Sequence, residues 1–319
     1  MELHSDIVTI TLNPAIDQTV FIDRFVQGSV NRTTRHHLQA GGKGVNVSAL
    51  LGNYGVPSHA TGFLGRGNQA VFTSLFKKYG VRDSFVRLSG DTRTGIKIID
   101  ESTRETTDIN FPGLEPTLAD LKRFEGKLRN MISEGRWFVV AGSLPKGIDV
   151  DFFAEIIALL KHGGANVAVD TSGPALRAAI DGGADLIKPN EHELAEYLGK
   201  PLPDFATRVA AAVEIQKTKV KNVILSLGGE GALFITPGKA LMASAPPVKV
   251  VSTVGAGDSL LAGFLAGLAT GRTPVECARL ASVFAWSTLE NLTRELPSHA
   301  EIERRMPKIK VQPLSKLNL

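Results

Sequence analysis

The alternation that begins at WFVVAG (137–142) decides the fold. This short apolar run ends in glycine, and DFFAEIIALLKHG (151–163) follows it with apolar residues at helical spacing. The same succession of run and helix continues through ANVAVD (165–170) as far as KNVILSLGG (221–229). Short apolar runs separated by amphipathic helices indicate buried parallel strands in βαβ units. We therefore predict an α/β fold, with a doubly wound, mostly parallel sheet and helices on both of its faces.

Segments on either side of this region extend the same fold. DIVTITLN (6–13) predicts another central strand, and VNVSALLGNYG (45–55) and QAVFTSLFKKYG (69–80) predict helices that end near a glycine. After about Ser298 we expect one short helix and a tail broken by proline.

Residues 14–40 and 84–112 follow a different pattern. Apolar and polar residues alternate in QTVFIDRF, TGIKIIDES and ETTDINF, as they do in half-exposed antiparallel strands. Two such insertions in an α/β chain predict one small sheet beside the main sheet.

The composition excludes several classes of protein. Hydrophobic residues make up 43% and charged residues 21% of the 319 residues, as in ordinary globular proteins, and no apolar run is long enough to span a membrane. The single cysteine, Cys277, excludes an intrachain disulfide and a cysteine-based metal site, so we expect a cytoplasmic protein. The net charge of +4 is scattered and aromatic residues are few, which disfavours nucleic acid and fits a small anionic substrate.

The strongest local signal is STVGAGDSLLAGFLAGLA (252–269), where Gly255 and Gly257 precede a long amphipathic run. Glycines let the backbone approach a ligand closely, and the first turn of a helix presents free N–H groups and a positive dipole end. This combination predicts a site for phosphate oxygens, with Asp258 ionised and within reach of a hydroxyl beside them. Read alone, the motif is equally typical of a tight helix entry with an acidic residue in the first turn.

Two other phosphate-binding motifs are absent or incomplete. No Gly-Lys pair is followed by Ser or Thr, so the G-x-x-x-x-G-K-[ST] loop does not occur. Gly65, Gly67 and Ala70 form a loose version of the G-x-G-x-x-G motif of dinucleotide-binding proteins. That version leaves a nucleotide-linked oxidoreductase as a minor alternative.

Two segments near the N-terminus carry polar residues suited to a sugar. AGGKGVNVSALL (40–51) places Lys43 and Asn46 at a helix start, where they can meet an anion and a polyol. NPAID (13–17) ends on Asp17, whose carboxylate can accept hydrogen bonds from two neighbouring hydroxyls. Each segment alone is also consistent with a tight turn between a strand and a helix.

Two later segments suit a nucleotide and its metal. SLGGEGALF (226–234) predicts a glycine turn between two strands. In IKPNEHEL (187–194), Asn190 and Glu193 stand three apart at a helix start, which suits Mg²⁺ held through water. The same spacing is that of a helix capping box, which is at least as common.

Together these segments resemble the phosphofructokinase B group of the ribokinase-like carbohydrate kinases. The matching motifs occur in the family's order over nearly the whole chain: TLNPAID (11–17), AGGKGVNV (40–47), TRTGIKI (92–98), TDINFPG (107–113), AGSLPKG (141–147), KPNEHEL (188–194), SLGGEGA (226–232) and STVGAGDS (252–259). Several motifs in register are far more specific than any one, so the resemblance favours the ligand-binding roles. It implies one ribokinase-like kinase domain over residues 1–319, in which the insertions 14–40 and 84–112 form a small β lid.

The resemblance also implies an activity and its partners. The implied reaction is ATP-dependent and Mg²⁺-requiring phosphorylation of a ketohexose monophosphate, with fructose 1-phosphate expected first and tagatose 6-phosphate or fructose 6-phosphate as alternatives. Ser29 follows Gly28 where members that use fructose 6-phosphate carry lysine, which disfavours that substrate. In this family the lid sheets of two subunits commonly meet, so a homodimer is implied, with neither nucleic acid nor membrane as a partner.

Individual residues inherit roles from the resemblance. Asp258 corresponds to the general base, and Gly255, Ala256 and Gly257 correspond to the anion hole. The implied substrate contacts are Asp17, Gly42, Lys43, Asn46, Arg93, Lys97, Asn110 and Ser143. The implied nucleotide contacts are Lys188, Asn190, Ser226, Gly228 and Gly231, and Asn190 with Glu193 would organise Mg²⁺. A relative that binds sugar without catalysis is the alternative from another class, and the intact Asp258 disfavours it.

Overall fold

The structure is a computed structural model that describes residues 6–103, 105–291, 293 and 295–316. Its strands, in chain order, are β1 (Ile7–Thr11), β2 (Ala15–Ile22), β3 (Arg35–Gly41), β4 (Ser58–Gly65), β5 (Arg82–Asp83), β6 (Val86–Leu88), β7 (Thr94–Asp100), β8 (Thr106–Asn110), β9 (Trp137–Ala141), β10 (Asn166–Asp170), β11 (Leu186–Ile187), β12 (Asn222–Ser226), β13 (Ala232–Thr236), β14 (Lys239–Ser244) and β15 (Lys310–Pro313). Its helices are α1 (Lys43–Asn53), α2 (Ala70–Tyr79), α3 (Leu118–Met131), α4 (Val150–His162), α5 (Gly173–Asp181), α6 (Glu191–Leu198), α7 (Phe205–Thr218), α8 (Ala256–Ala269), α9 (Pro274–Leu289) and α10 (His299–Arg305).

The main sheet is largely parallel, and its strand order fixes where a ligand can bind. The order is β15-β14-β13-β12-β11-β10-β9-β1-β4-β5, with β6 also pairing with β4. β1 pairs in parallel with β4 on one side and with β9 on the other. The chain therefore winds toward one edge of the sheet from β1 and toward the opposite edge from β9. In open α/β sheets ligands bind beyond the carboxyl ends of the strands at such a switch point. Here that place lies where β1 and β9 end.

Alternate side chains of the central strands enter two separate apolar layers. In β9, Phe138 and Val140 pack with residues of α3 to α7, whereas Val139 and Ala141 pack with residues of α1, α8, α9 and α10. A sheet covered on both faces buries nearly every side chain of its strands, which explains their continuous apolar runs. This arrangement confirms the predicted doubly wound α/β fold.

Helix α8 differs from its prediction, because most of its residues are buried rather than one face alone. A Cβ atom at Gly263 would lie 2.7 Å from Ala281 Cα, and one at Gly267 would lie 2.7 Å from Cys277 Sγ. These glycines let α8 pack directly against α9, so the amphipathic interpretation was wrong.

Over the residues that the structure describes, no helix is both long enough and apolar enough to cross a membrane.

A second, four-stranded sheet has the order β3-β2-β7-β8. Of the segment 84–112, the part at Val86–Leu88 pairs with β4 of the main sheet instead, so the second sheet draws only on its later residues. A third apolar cluster, which includes Ile16 and Ala40 of the small sheet with Phe72 and Phe76 of α2, joins the two sheets. The small sheet is therefore anchored at the end nearest α1.

The C-terminal segment contributes an edge strand that the sequence did not predict. β15 pairs antiparallel with β14, from Leu241 opposite Pro313 to Ser244 opposite Lys310. The expected short helix is present as α10. Pro313 lies at the end of β15, where a missing N–H is tolerated.

Candidate active site

A buried carboxylate stands at the start of α8. Gly255 is the N-cap residue with a φ of +82°, a conformation that favours glycine, and it has no side chain to cover the first amides of the helix. Asp258 lies in the first turn and is buried. The amide Nδ2 of Asn46, on α1, donates a 2.6 Å hydrogen bond to Asp258 Oδ2. The carboxylate is therefore held in one orientation between two helices.

The environment of Asp258 changes its protonation. Burial, with a further contribution from the negative charge of Asp170, raises the pKa of Asp258 to about 6. The hydrogen bond from Asn46 and the charges of Lys43 and Lys188 oppose this rise. An ordinary ionised carboxylate was expected from the helix dipole, and burial outweighs that effect. A pKa near neutrality suits a general base, since the group is mostly ionised at pH 7 yet accepts a proton readily.

Asp170 lies beneath this site and binds two lysines. Lys43 Nζ donates a 2.8 Å hydrogen bond to Asp170 Oδ1, and Lys188 Nζ lies 3.1 Å from Asp170 Oδ2. Burial alone would lower the pKa of Lys43, but the charge and hydrogen bond of Asp170 outweigh it and raise that pKa. A Cβ atom at Gly257 would lie 3.2 Å from Lys188 Nζ, so this ammonium group lies against the start of α8.

Asp17 of the small sheet lies close to the glycine turn before α1. A Cβ atom at Gly41 would lie 2.6 Å from Asp17 Oδ2, which accounts for a glycine there. Gly42 has a φ of +113°, a conformation that disfavours other residues. In the sheet register Asp17 is opposite Gly95, and Gly95 is opposite Asn110, so the three share one face. Asp17 and Asn110 therefore converge above Gly95.

Arg93 and Ser143 are brought together at the switch point of the main sheet. Asn13, just after β1, donates from Nδ2 to Ser143 Oγ at 3.0 Å. Its backbone carbonyl oxygen accepts a 3.4 Å hydrogen bond from Arg93 Nη2. Burial lowers the pKa of Arg93, and the charge of Asp17 opposes that change. Sequence reasoning quoted Asn13 within its motif but assigned it no role.

Lys97 lies on the same face of the small sheet as Asp17, two register rows further on. Its Nζ is 3.1 Å from Asp108 Oδ1 on the neighbouring strand. The ammonium group is thus already paired, and a contact with the substrate remains a prediction.

The nucleotide motifs meet at the ends of β11 and β12. Asn190 forms an isolated parallel bridge with Ser226, whose N–H donates to the carbonyl of Pro189 at 3.1 Å. Asn190 and Glu193 form a complete capping box, with each side chain accepting a 2.8 Å hydrogen bond from the backbone N–H of the other. Glu193 accepts through Oε2, and its charge also acts on Lys43. The carboxylate therefore caps a helix, and its negative charge makes a small contribution to the raised pKa of Lys43.

The sequence model of the pfkB family carbohydrate kinases matches residues 10–294. The chain belongs to this family. It is therefore an ATP-dependent sugar kinase, as the motifs predicted.

Curated relatives of this kinase cover almost its whole length. It is 42% identical over 289 residues to the 1-phosphofructokinase of Xanthomonas campestris, covering 89% of this chain and 91% of that protein. It is 34% identical over 309 residues to the 1-phosphofructokinase of Escherichia coli strain K12, covering 97% of this chain and 99% of that protein.

Solved structures share its fold. Phosphofructokinase-2 from Escherichia coli, in complex with substrates and products, has a TM-score of 0.90 at 28% identity, over 95% of this chain and 99% of that one. A possible 1-phosphofructokinase from Thermotoga maritima has a TM-score of 0.84 at 27% identity, over 97% and 99% of the two chains. These likenesses confirm the ribokinase-like fold class.

In this kinase the loose dinucleotide motif has a structural role. Gly65 donates its N–H to Thr92 Oγ1 at 2.9 Å, and Gly67 donates its N–H to the carbonyl of Gly90 at 3.1 Å. Side chains at these two glycines would collide with residues 90–92. The turn between β4 and α2 is thus packed against protein, and the oxidoreductase alternative is wrong.

Gly228 and Gly231 form the turn between β12 and β13, as the sequence predicted. Gly228 begins a short 3₁₀ turn, and a Cβ atom at Gly231 would collide with the carbonyl oxygen of Ala243 on β14. The close approach of β14 thus accounts for Gly231. Its contact with a nucleotide remains a prediction.

Asp170 is a second residue of this site to which sequence reasoning assigned no role. It ends the apolar run ANVAVD (165–170) at the carboxyl end of a parallel strand, where α/β proteins place their ligands. That position was a usable signal. Its pairing with Lys43, 127 residues away, was not visible in the sequence.

Proposed function

We propose that this kinase transfers the γ-phosphoryl group of ATP to a hydroxyl of a ketohexose monophosphate, converting fructose 1-phosphate to fructose 1,6-bisphosphate. The observation that carries the proposal is the buried, oriented Asp258 at the glycine-capped start of α8, with Lys188 beside it. The relatives named 1-phosphofructokinase support the choice of sugar phosphate.

In the proposed reaction the sugar hydroxyl oxygen bonds to the γ-phosphorus, and the bond from that phosphorus to the leaving ADP oxygen breaks. The hydroxyl proton passes to Asp258, whose raised pKa of about 6 suits that task. Phosphoryl transfer passes through a loose transition state and mainly needs alignment and neutralised charge. The amides of Gly255, Ala256 and Gly257 would stabilise the charge on the transferred group.

On the sugar side, the hydroxyls would be held by Asp17, Asn46 and the backbone at Gly42. The phosphate already on the substrate would be bound by Arg93 and Ser143, which Asn13 links. Three further residues are predicted to lie near the sugar phosphate when it binds: Lys43, Lys97 and Asn110.

On the nucleotide side, Lys188, Asn190, Ser226, Gly228 and Gly231 would line ATP. The described residues contain no group of three or more His, Cys, Asp or Glu side chains that could hold a metal ion. Mg²⁺ commonly keeps several waters and binds through one or two carboxylates plus substrate phosphates, so Asn190 and Glu193 fit it as outer partners. When bound, the ion would neutralise phosphate charge.

The other face of the small sheet favours a homodimer. In the register, Leu38 and Ile109 lie in one row with Gln18 and Ile96, on the face opposite Asp17. Leu38 is 50% exposed and Ile109 is 45% exposed. We propose that a second copy of the chain covers these residues, and that the small sheet acts as a lid that excludes water.

The choice of sugar phosphate is the finest part of the proposal. Ser29, which stands where fructose 6-phosphate kinases are expected to carry lysine, follows Gly28 in an exposed loop after β2 rather than in the strand itself. An uncharged residue there offers no positive charge to the phosphate of fructose 6-phosphate, so that substrate is disfavoured. The solved phosphofructokinase-2 that contains fructose 6-phosphate shares 27% identity with this chain.

The test is the relative kcat/KM of the purified enzyme for fructose 1-phosphate, fructose 6-phosphate and tagatose 6-phosphate, measured by ADP release at saturating ATP. We expect fructose 1-phosphate to give the highest value. A higher value for either 6-phosphate would contradict the substrate assignment. ADP release that no sugar phosphate stimulates would favour a relative that binds sugar without catalysis.

A further inference from the structure

Two buried aspartates each bind two lysines. They lie at the neighbouring parallel strands β10 and β11, one at the carboxyl ends and the other at the amino ends of these strands. Asp170 ends β10 and pairs with Lys43 and Lys188. Asp185 precedes β11 and pairs with Lys161 and with Lys221, the latter at 2.9 Å. The carboxylates are equally buried, with side-chain exposures of 1% and 3%.

The two clusters differ in what surrounds the ammonium groups. Asp185 also accepts a 2.9 Å hydrogen bond from the N–H of Val167, and Lys221 is largely exposed to solvent. That cluster links neighbouring strands of the main sheet at their amino ends. In the Asp170 cluster, Lys188 is only 5% exposed and Lys43 is 38% exposed.

The lysines of Asp170 reach the starts of two different helices. Lys43 is the first residue of α1, and Lys188 Nζ lies against Gly257 in the first turn of α8. Each lysine has three N–H donors, so a bond to Asp170 leaves others for phosphate oxygens. A lysine side chain is otherwise flexible, and fixing it in advance removes an entropic cost from the reaction.

We propose that Asp170 is a positioning residue whose buried carboxylate holds the ammonium groups of Lys43 and Lys188 on the two sides of the transferred phosphoryl group. This inference rests on the proposed function, because it assumes that the transfer occurs between the starts of α1 and α8. Asp170 itself touches neither substrate. It acts through the lysines, and its charge also contributes to the raised pKa of Asp258.

The test compares Asp170→Asn with Asp185→Asn in the full-length enzyme. Both substitutions remove a buried charge from a pair of lysines, so both should lower the thermal unfolding midpoint. We expect kcat to fall about 10²-fold in Asp170→Asn, since a small misplacement costs that much. The KM for ATP should not rise, because loss of a negative charge leaves the site no less attractive to an anion. In Asp185→Asn kcat should stay within about twofold of wild type.

A double-mutant cycle with Lys43→Gln separates positioning from general damage. If Asp170 acts in part through Lys43, the double variant should lose less kcat than the product of the two single losses. Multiplied losses would contradict the proposal, as would equal kcat in Asp170→Asn and Asp185→Asn. Full recovery of Asp170→Asn at raised Mg²⁺ concentration would also contradict it, by assigning Asp170 to the metal.

Should Asp170→Asn not fold, Asp170→Glu keeps the charge and moves the carboxylate by one methylene. A folded Asp170→Glu enzyme with lowered kcat would support the proposal, and one with wild-type kcat would overturn it. These outcomes are distinct from failure of the proposed function, in which wild-type enzyme would turn over no ketohexose phosphate.

Discussion

The main sheet and the small sheet use their faces differently. Both faces of the main sheet are buried under helices, and the groups assigned to phosphoryl transfer stand beyond its strand ends or at the starts of helices. The small sheet has one face with Asp17, Lys97 and Asn110 and an opposite face with half-exposed Leu38 and Ile109. A reaction that tolerates little misplacement benefits from the rigid layers. In the proposed function, the open sheet contributes to binding of the sugar phosphate on one face and of a partner subunit on the other.

The largest expected loss of activity comes from a substitution at Asp258, at the start of α8 beside the main sheet. Asp258→Asn should lower kcat by about 10²–10⁴, the usual contribution of general acid–base catalysis. Asparagine has nearly the same shape and can still accept the hydrogen bond from Asn46, so ATP binding should hardly change. Steady-state rates with an ATP-binding titration check this. A variant that keeps more than about a tenth of the wild-type kcat would remove Asp258 from the role of base.

The outer face of the small sheet provides the next test. Leu38→Asp should raise the dimer dissociation constant by about 100-fold or more, because a two-fold axis places the buried charge twice at the interface. Analytical ultracentrifugation over a concentration series measures this. Leu118→Asp is the matched control, since Leu118 is an exposed leucine at the start of α3. An unchanged Leu38→Asp dimer would place the interface elsewhere.

Arg93, which lies just before β7 where the small sheet meets the switch point of the main sheet, should affect binding more than rate. Arg93→Ala should raise the KM for fructose 1-phosphate by roughly 10- to 100-fold, since a charge-assisted contact with phosphate contributes about 1.5–3 kcal/mol. The KM for ATP should be unaffected. Arg129→Ala, on the exposed surface of α3, serves as control. An equal loss with unphosphorylated fructose would show that Arg93 does not bind the substrate phosphate.

The smallest expected effect concerns the metal. Glu193→Gln should raise the Mg²⁺ concentration for half-maximal rate by about 10-fold, the lower end for residues that contact a metal through water. Glutamine still accepts the N–H of Asn190, so the capping box survives. Glu276→Gln alters an equivalent capping box at the start of α9 and should leave the Mg²⁺ titration unchanged. Superimposable titrations for all three enzymes would leave Glu193 as a capping residue only.

The layered core was predictable because its signal is local. The apolar runs of Trp137–Ala141 and Asn166–Asp170 are strands in the structure, as predicted, since a parallel strand buried on both faces is continuously apolar. The prediction of an amphipathic α8 was wrong because this helix, like the central strands, is buried on more than one side. Glycines such as Gly263 interrupt its leucines in the sequence, but in the structure they allow contact with α9.

Long-range contacts in the site had no such local signal. Asn46 and Asp258 are 212 residues apart, and the hydrogen bond between them depends on how α1 packs against α8. The small sheet shows the same limit, because β6 alternates like its neighbours yet pairs with β4. The motifs supplied candidate residues, whereas the burial that raises the pKa of Asp258 followed only from packing.

The pH dependence of kcat/KM for fructose 1-phosphate tests most directly whether a buried base in the main layers accepts the proton. At saturating ATP, wild-type kcat/KM should fall as pH drops through about 6, because both Asp258 and the substrate phosphate take up protons there. The logarithmic slope should therefore approach two on the acid side. In Asp258→Asn only the substrate phosphate titrates, so the slope should approach one. Identical slopes in the two enzymes would contradict the assignment of Asp258 as the base.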